Sequence, residues 1–176
     1  MNARFDQAKA AQLAGLFLQM RGGRMHYMKL IKLMYLADRE ALIRGGQPIT
    51  NDAYFSMPHG PILSATLDLI NEGPDDGSPW HQVIERSTDP YSVRLKSRPS
   101  IDMLSEDERE VATKVFEKYG QMNRYKLRDL LHKILPEWQD PQGSSLRITY
   151  RDILLAEGKS EPEVAQILSE IKKDSA

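Results

Sequence analysis

The stretch Lys29-Leu-Ile-Lys-Leu-Met-Tyr-Leu-Ala-Asp38 decides the fold. It lies within a helix-forming run over residues 27–44. Leu30, Ile31, Leu33, Met34, Tyr35, Leu36 and Ala37 leave that run almost no polar face, and only Lys29, Lys32, Arg39 and Glu40 interrupt it. A helix that is apolar nearly all round is normally buried among several partners. Gly45-Gly46 and Pro48 stop it. A buried central helix is therefore expected.

The charges inside this run are its most specific feature. Asp38 falls on the apolar stripe, at i+7 from Ile31, i+4 from Met34 and i+3 from Tyr35. A carboxylate there must be hydrogen-bonded or paired, or its pKa must rise. It reads as a buried anchor that ties down a loop or another helix, with a functional role as the alternative. Lys29 and Lys32 share one side of the helix with Arg39, a solvated face on an ordinary helix and here a possible flank of a partner groove.

Working outward, residues 6–20 form an amphipathic helix, with Leu13, Leu16, Phe17 and Met20 at i, i+3, i+4, i+7 and Gly22-Gly23 behind it. Residues 53–57 read as an aromatic strand and Pro58-His59-Gly60-Pro61 as a turn. Pro61 suits the first position of a helix that carries Ile62, Leu63, Leu67 and Ile70 and stops at Gly73-Pro74. After a loop over 73–79, residues 80–86 and 91–97 read as a β-hairpin that joins residues 53–57 in one sheet. Helices return behind a capping box at Ser105 to Glu108, a cap at Asn123, a box at Thr149 to Asp152 with Ile148 and Ile153 as its staple, and a cap at Ser160. The third of these four helices is short. The fold class expected is mainly α: a single compact multi-helix domain over 1–176, with a small antiparallel sheet of two or three strands inserted between the N-terminal and C-terminal helices.

The composition, 40% hydrophobic and 28% charged, is that of a globular chain. A net charge of −1 gives no general attraction to nucleic acid, although Arg21, Arg24, Lys29 and Lys32 could form a local basic face. The absence of cysteine removes disulfides and thiol chemistry. No signal-peptide core or membrane-spanning run is legible, so a cytoplasmic location is expected. The histidines His26, His59, His81 and His132 lack the close spacing of metal ligands, and no phosphate-binding loop or nucleophile elbow occurs. Neither a catalytic residue nor a cofactor or metal is expected. Tyr54, Phe55, His59 and Trp138 are candidate contact aromatics, with core packing the plainer account of Phe55 and Trp138.

The run Lys29 to Asp38, then Gly46-Gln-Pro-Ile49, Tyr54-Phe55 and Gly60-Pro61, resembles the Panacea domain, the SocA-like antitoxin family formerly called GepA-like. That family's pattern is a KLxKLLYxA helix, a G-x-P-I/L turn, an aromatic strand and a Gly-Pro-Val/Ile helix start; Met34 replaces Leu and Ile62 replaces Val. Leu127 to His132 resembles its L-x-x-L-T-H segment with Leu131 for Thr, and Pro136 with Trp138 resembles its Pro-x-W. The resemblance covers roughly residues 10–155. It implies a non-enzymatic antitoxin that neutralises a cognate protein toxin, of a bacterial or phage system, by direct binding. Two alternatives are an adaptor delivering the toxin to the ClpXP protease and a phage or mobile-element DNA-associated regulator. No catalytic residues carry over. The candidate partner-binding or family-motif positions are Lys29, Lys32, Tyr35, Asp38, Tyr54, His59, Gly60, Pro61, His132 and Trp138.

Overall fold

The central element is helix α2 (Tyr27–Gly45), in which residues 29–39 are all buried. The structure, a computed structural model, describes residues 4–72 and 77–174. His26 opens α2 by accepting the Met28 N–H on Nδ1 (3.1 Å). Gly46, left-handed at φ 74°, closes it by donating its N–H to the Leu42 carbonyl (2.9 Å). Among the helices that pack on α2 are α1 (Gln7–Met20), α5 (Glu106–Tyr119), α6 (Arg124–Ile134) and α7 (Tyr150–Ala156). One continuous core cluster runs from Ala10 to Ile171. The last helix, α8 (Glu161–Asp174), joins it through Val164 and Ile171.

Among the described residues, two three-stranded antiparallel sheets replace the single expected one. The first pairs β1 (Arg24–His26) with β5 (Ser92–Leu95), and β5 with β4 (Ile84–Arg86). The second pairs β3 (Gly60–Leu63) with β2 (Tyr54–Met57), and β2 with β6 (Leu146–Ile148). The hairpin over 84–95 and the aromatic strand thus belong to different sheets. Nor do the strands form one block between the helical parts, because β1 precedes α2 and β6 precedes α7. Pro61 does not start a helix; it lies opposite Ser56 in β3, and α3 (Ser64–Asn71) begins three residues later. Trp80 and His81 belong to a short helix, α4 (Pro79–Val83), because Ser78 caps it and Pro79 fills its first turn. The expected stop at Gly73-Pro74 lies outside the described residues.

The capping boxes at Ser105 and Thr149 both form, each with its hydroxyl and its acid satisfying an N–H at the helix start. Ile148 and Ile153 are both buried beside the second. On α6 the apolar stripe is narrower than its spacing suggests. Leu127 and Leu131 are buried, but Ile134 is 40% exposed.

Asp38 is the anchor its position suggested. Fully buried, it accepts the N–H groups of Ile49 (3.1 Å) and Thr50 (3.0 Å), the Thr50 hydroxyl (2.5 Å) and the Tyr54 hydroxyl (2.8 Å). Asp52 repeats the device, accepting from the N–H groups of Ala65 (2.8 Å) and Thr66 (2.9 Å) and from the Thr66 hydroxyl (2.8 Å), which fixes the start of α3. Truncating Asp38 would strand several buried donors at once. Asp38→Ala is therefore expected to lose about 3–5 kcal/mol in urea unfolding. Burial pushes the Asp38 carboxyl up to about 7, against the opposing pull of the Thr50 and Tyr54 hydrogen bonds. A folded pKa above the unfolded value of about 3.9 means that the folded state holds the proton more tightly. The contribution is full at low pH and is lost as pH rises toward about 7. The stability margin of wild type over Asp38→Asn should shrink across that interval when unfolding is measured at successive pH values.

Candidate partner-binding face

The three cations on one side of α2 are not solvated. Lys29, Lys32 and Arg39 are only 5%, 2% and 8% exposed, because their long stems lie along the core. Lys29 donates Nζ to the Gly120 carbonyl at the end of α5. Arg39 grips Glu137 with two hydrogen bonds (2.5 and 3.2 Å) and reaches Glu157 (2.5 Å). Tyr35 donates its hydroxyl to the same Glu137 oxygen (2.8 Å). Glu137 was not among the sequence candidates. Its signal was indirect: a buried arginine on α2 needs a carboxylate from elsewhere, and Glu137 stands inside the Pro136–Trp138 motif.

Lys32 differs from its two neighbours. Its ammonium is buried and has no hydrogen-bond partner among the described residues, and His132 Nε2 shares that condition. The two nitrogens meet at Gly60. A Cβ on Gly60 would lie 3.1 Å from Lys32 Cε, 3.3 Å from its Nζ and 3.8 Å from His132 Nε2, and the residue sits at φ 109°. Glycine suits this position, because L side chains rarely adopt that φ and an added Cβ would press on Lys32. Trp138 completes the cluster by stacking on His132 (3.8 Å between centroids, 9° between planes) and donating its indole N–H to the Met57 carbonyl (3.1 Å). Burial, then the charge of Arg128, lowers the Lys32 pKa to about 8. Burial, then Lys32 and Arg128, also hold His132 below its ordinary value.

The other candidates divide between core and surface. Tyr35 and Tyr54 pack edge to face (5.2 Å, 82°), both fully buried, as parts of the Glu137 and Asp38 networks. Phe55 is half-buried, with Arg147 over its ring (5.3 Å). His59 stands exposed at the β2–β3 turn. His81 is buried against the Ser78 hydroxyl (3.0 Å).

Lys32 and His59 border a groove of about 280 Å³. Among the described residues its other walls are His26, Tyr27, Met28, Tyr91, Arg124, Tyr125 and Arg128, none of them acidic. His26 stacks between Tyr27 (5.3 Å) and Tyr91 (6.0 Å). Arg124 lies over the Tyr125 ring (4.5 Å) and donates to its hydroxyl (2.7 Å). Tyr91 and Tyr125 are 60% and 54% exposed, and both line the same groove. A second hollow shares His26, Arg124 and Tyr125 and adds Arg21, Arg24 and Lys29, so the two form one basic, aromatic face. Burial, then the charge of Arg124, keeps the His26 pKa low, against the opposing charge of Asp89.

The family described as Antitoxin SocA-like, Panacea domain, matches residues 30–139. This chain belongs to the Panacea family. No curated protein and no solved structure matches it. The Panacea match begins within α2 and ends just past Trp138, a shorter span than residues 10–155. It contains Lys32, Gly60, His132 and Trp138 together with Tyr91, Arg124, Tyr125 and Arg128 of the groove. His26 and Tyr27 precede it. Antitoxin relationship thus attaches to the segment that carries most of this face. Among the described residues no three His, Asp or Glu side chains gather in a way that could hold a metal ion, and no helix is long and apolar enough to cross a membrane.

The Gly-Pro motif now has a physical reason in its glycine. Gly60→Ala should cost about 1–3 kcal/mol, because the added methyl meets Lys32 and the backbone is left-handed. Thermal unfolding of the purified variant measures this.

Proposed function

We propose that this Panacea-family chain is an antitoxin that neutralises a cognate protein toxin by direct contact in the cytoplasm, and that the basic, aromatic face is the contact surface. It works by binding, with no residue in a catalytic role. The described chain acts as one Panacea-like unit, which its continuous core supports.

The observation that carries the proposal is the exposure of Tyr91 and Tyr125 beside Arg124, within the family segment. Tyrosine and arginine are the residues that most often dominate binding energy at protein interfaces. The chain as a whole is near neutral, so this cluster of positive charge is a local feature. It suits a toxin with an acidic surface, since complementary potentials steer association and reject wrong partners.

The test is co-expression with the product of the neighbouring reading frame. The unaltered chain should restore growth and co-purify with that product. The pair Tyr91→Ala and Tyr125→Ala should weaken the complex by about 2 kcal/mol or more and abolish rescue, while the melting temperature stays unchanged. Full rescue by this folded double variant would remove the face from the interface. A toxin that disappears only in cells with a ClpXP-type protease would replace occlusion with delivery.

A further inference from the structure

Lys32 carries a charge that the fold does not use. An unpaired buried ammonium is costly, and α2 shows how this protein satisfies a structural cation. Arg39 has Glu137 and Glu157, and Lys29 has the Gly120 carbonyl. Lys32 has no such partner among the described residues, nor has the His132 Nε2 nitrogen that faces the same side of Gly60. Two unsatisfied buried nitrogens at one glycine, at the border of a cationic groove, point to a ligand.

The surroundings narrow its chemistry. Lys32, Arg124 and Arg128 supply the positive charge, and His26 and His59 stand beside them. Arg128 meets Asp129 (2.8 Å), but among the described residues Arg124 is engaged with the hydroxyl and ring of Tyr125 and with no carboxylate. A single carboxylate would leave much of this charge uncompensated. A phosphate monoester, with about −1.5 to −2 charges near neutral pH and three acceptor oxygens, matches it better. Tyr27, Tyr91 and Tyr125 line the same groove, where ring faces can stack on a flat aromatic group. A hollow of about 280 Å³ is near the lower bound for small-molecule sites.

We propose that the groove between α2, the β2–β3 turn and α6 binds a small aromatic phosphate monoester of the nucleoside monophosphate class, with Lys32 holding the phosphoryl group and the tyrosines receiving the ring. This goes beyond the antitoxin proposal and stands or falls without a toxin.

Calorimetric titration of the whole chain with AMP, UMP, adenosine and inorganic phosphate tests it, with amide NMR shifts recorded at Gly60 and the His132 ring followed in parallel. At least one of the two nucleotides should bind and shift both residues. Adenosine and phosphate should each bind about tenfold more weakly or worse. Lys32→Met, which keeps the length and removes the charge, should abolish nucleotide binding while the melting temperature holds or rises. If Lys32→Met does not fold, Arg124→Gln at its exposed position should weaken nucleotide binding about tenfold. Silence from both nucleotides, or full binding by Lys32→Met, would overturn the proposal. Equal binding of phosphate and nucleotide would overturn the role of the ring. Nucleotide binding that survives in a chain unable to neutralise any toxin would strike the antitoxin proposal alone.

Discussion

The carboxylate of Asp38 is the constraint from which the geometry around α2 follows. Buried without solvent, it must keep its donors, and those donors come from the segment immediately after α2. The turn beyond Gly46 therefore has little freedom, and Asn51 is held at a positive φ of 55° within it. Because one donor is the Tyr54 hydroxyl, the same carboxylate fixes where β2 begins. Antiparallel pairing carries that position to β3, and Gly60 arrives against Lys32 as a result. A structural acid on one face of α2 thus sets the surroundings of a cation two turns earlier on the same helix.

Those cations have separate tasks. Arg39 and Glu137 form a buried, nearly dry pair, of the kind that contributes little net stability yet is costly to break. Its effect here is positional. Glu137 is held next to Trp138, whose indole is tied to Met57, and the ring is thereby laid over His132. The paired arginine organises the neighbourhood in which the unpaired lysine sits. Satisfied and unsatisfied charge lie within two turns of one helix, and only the second invites an outside partner.

Sequence patterning was strongest where one short-range rule sufficed. The apolar run of α2, the boxes at Ser105 and Thr149 and the burial of Asp38 all follow from local spacing. It failed where the partner was distant. The three-residue strands β1 and β6 carry no alternation that a sequence could display, and their pairing comes from chain segments far away. Pro61 was a sound helix-start signal, but β2 claimed it for a hairpin. The lysines of α2 look like a solvated face because sequence cannot show that α5, α6 and the β2–β3 turn close over them. Tyr91, Arg124 and Tyr125, the most accessible part of the proposed site, gave no motif at all; only the fold brings them to one groove.

The two sheets have a practical consequence for how the protein can be divided. In each, the middle strand, β5 or β2, lies inside the family segment, and one of its flanking strands, β1 or β6, lies outside. A fragment cut to residues 30–139 would bare a row of backbone N–H and C=O groups on both middle strands and strip α1 from the apolar side of α2. Open strand rows of this kind template pairing with other chains. Such a fragment would be prone to self-association, and an aggregated fragment can mimic a specific complex in pull-down experiments. The boundary of the family match is thus not a physical boundary of this fold.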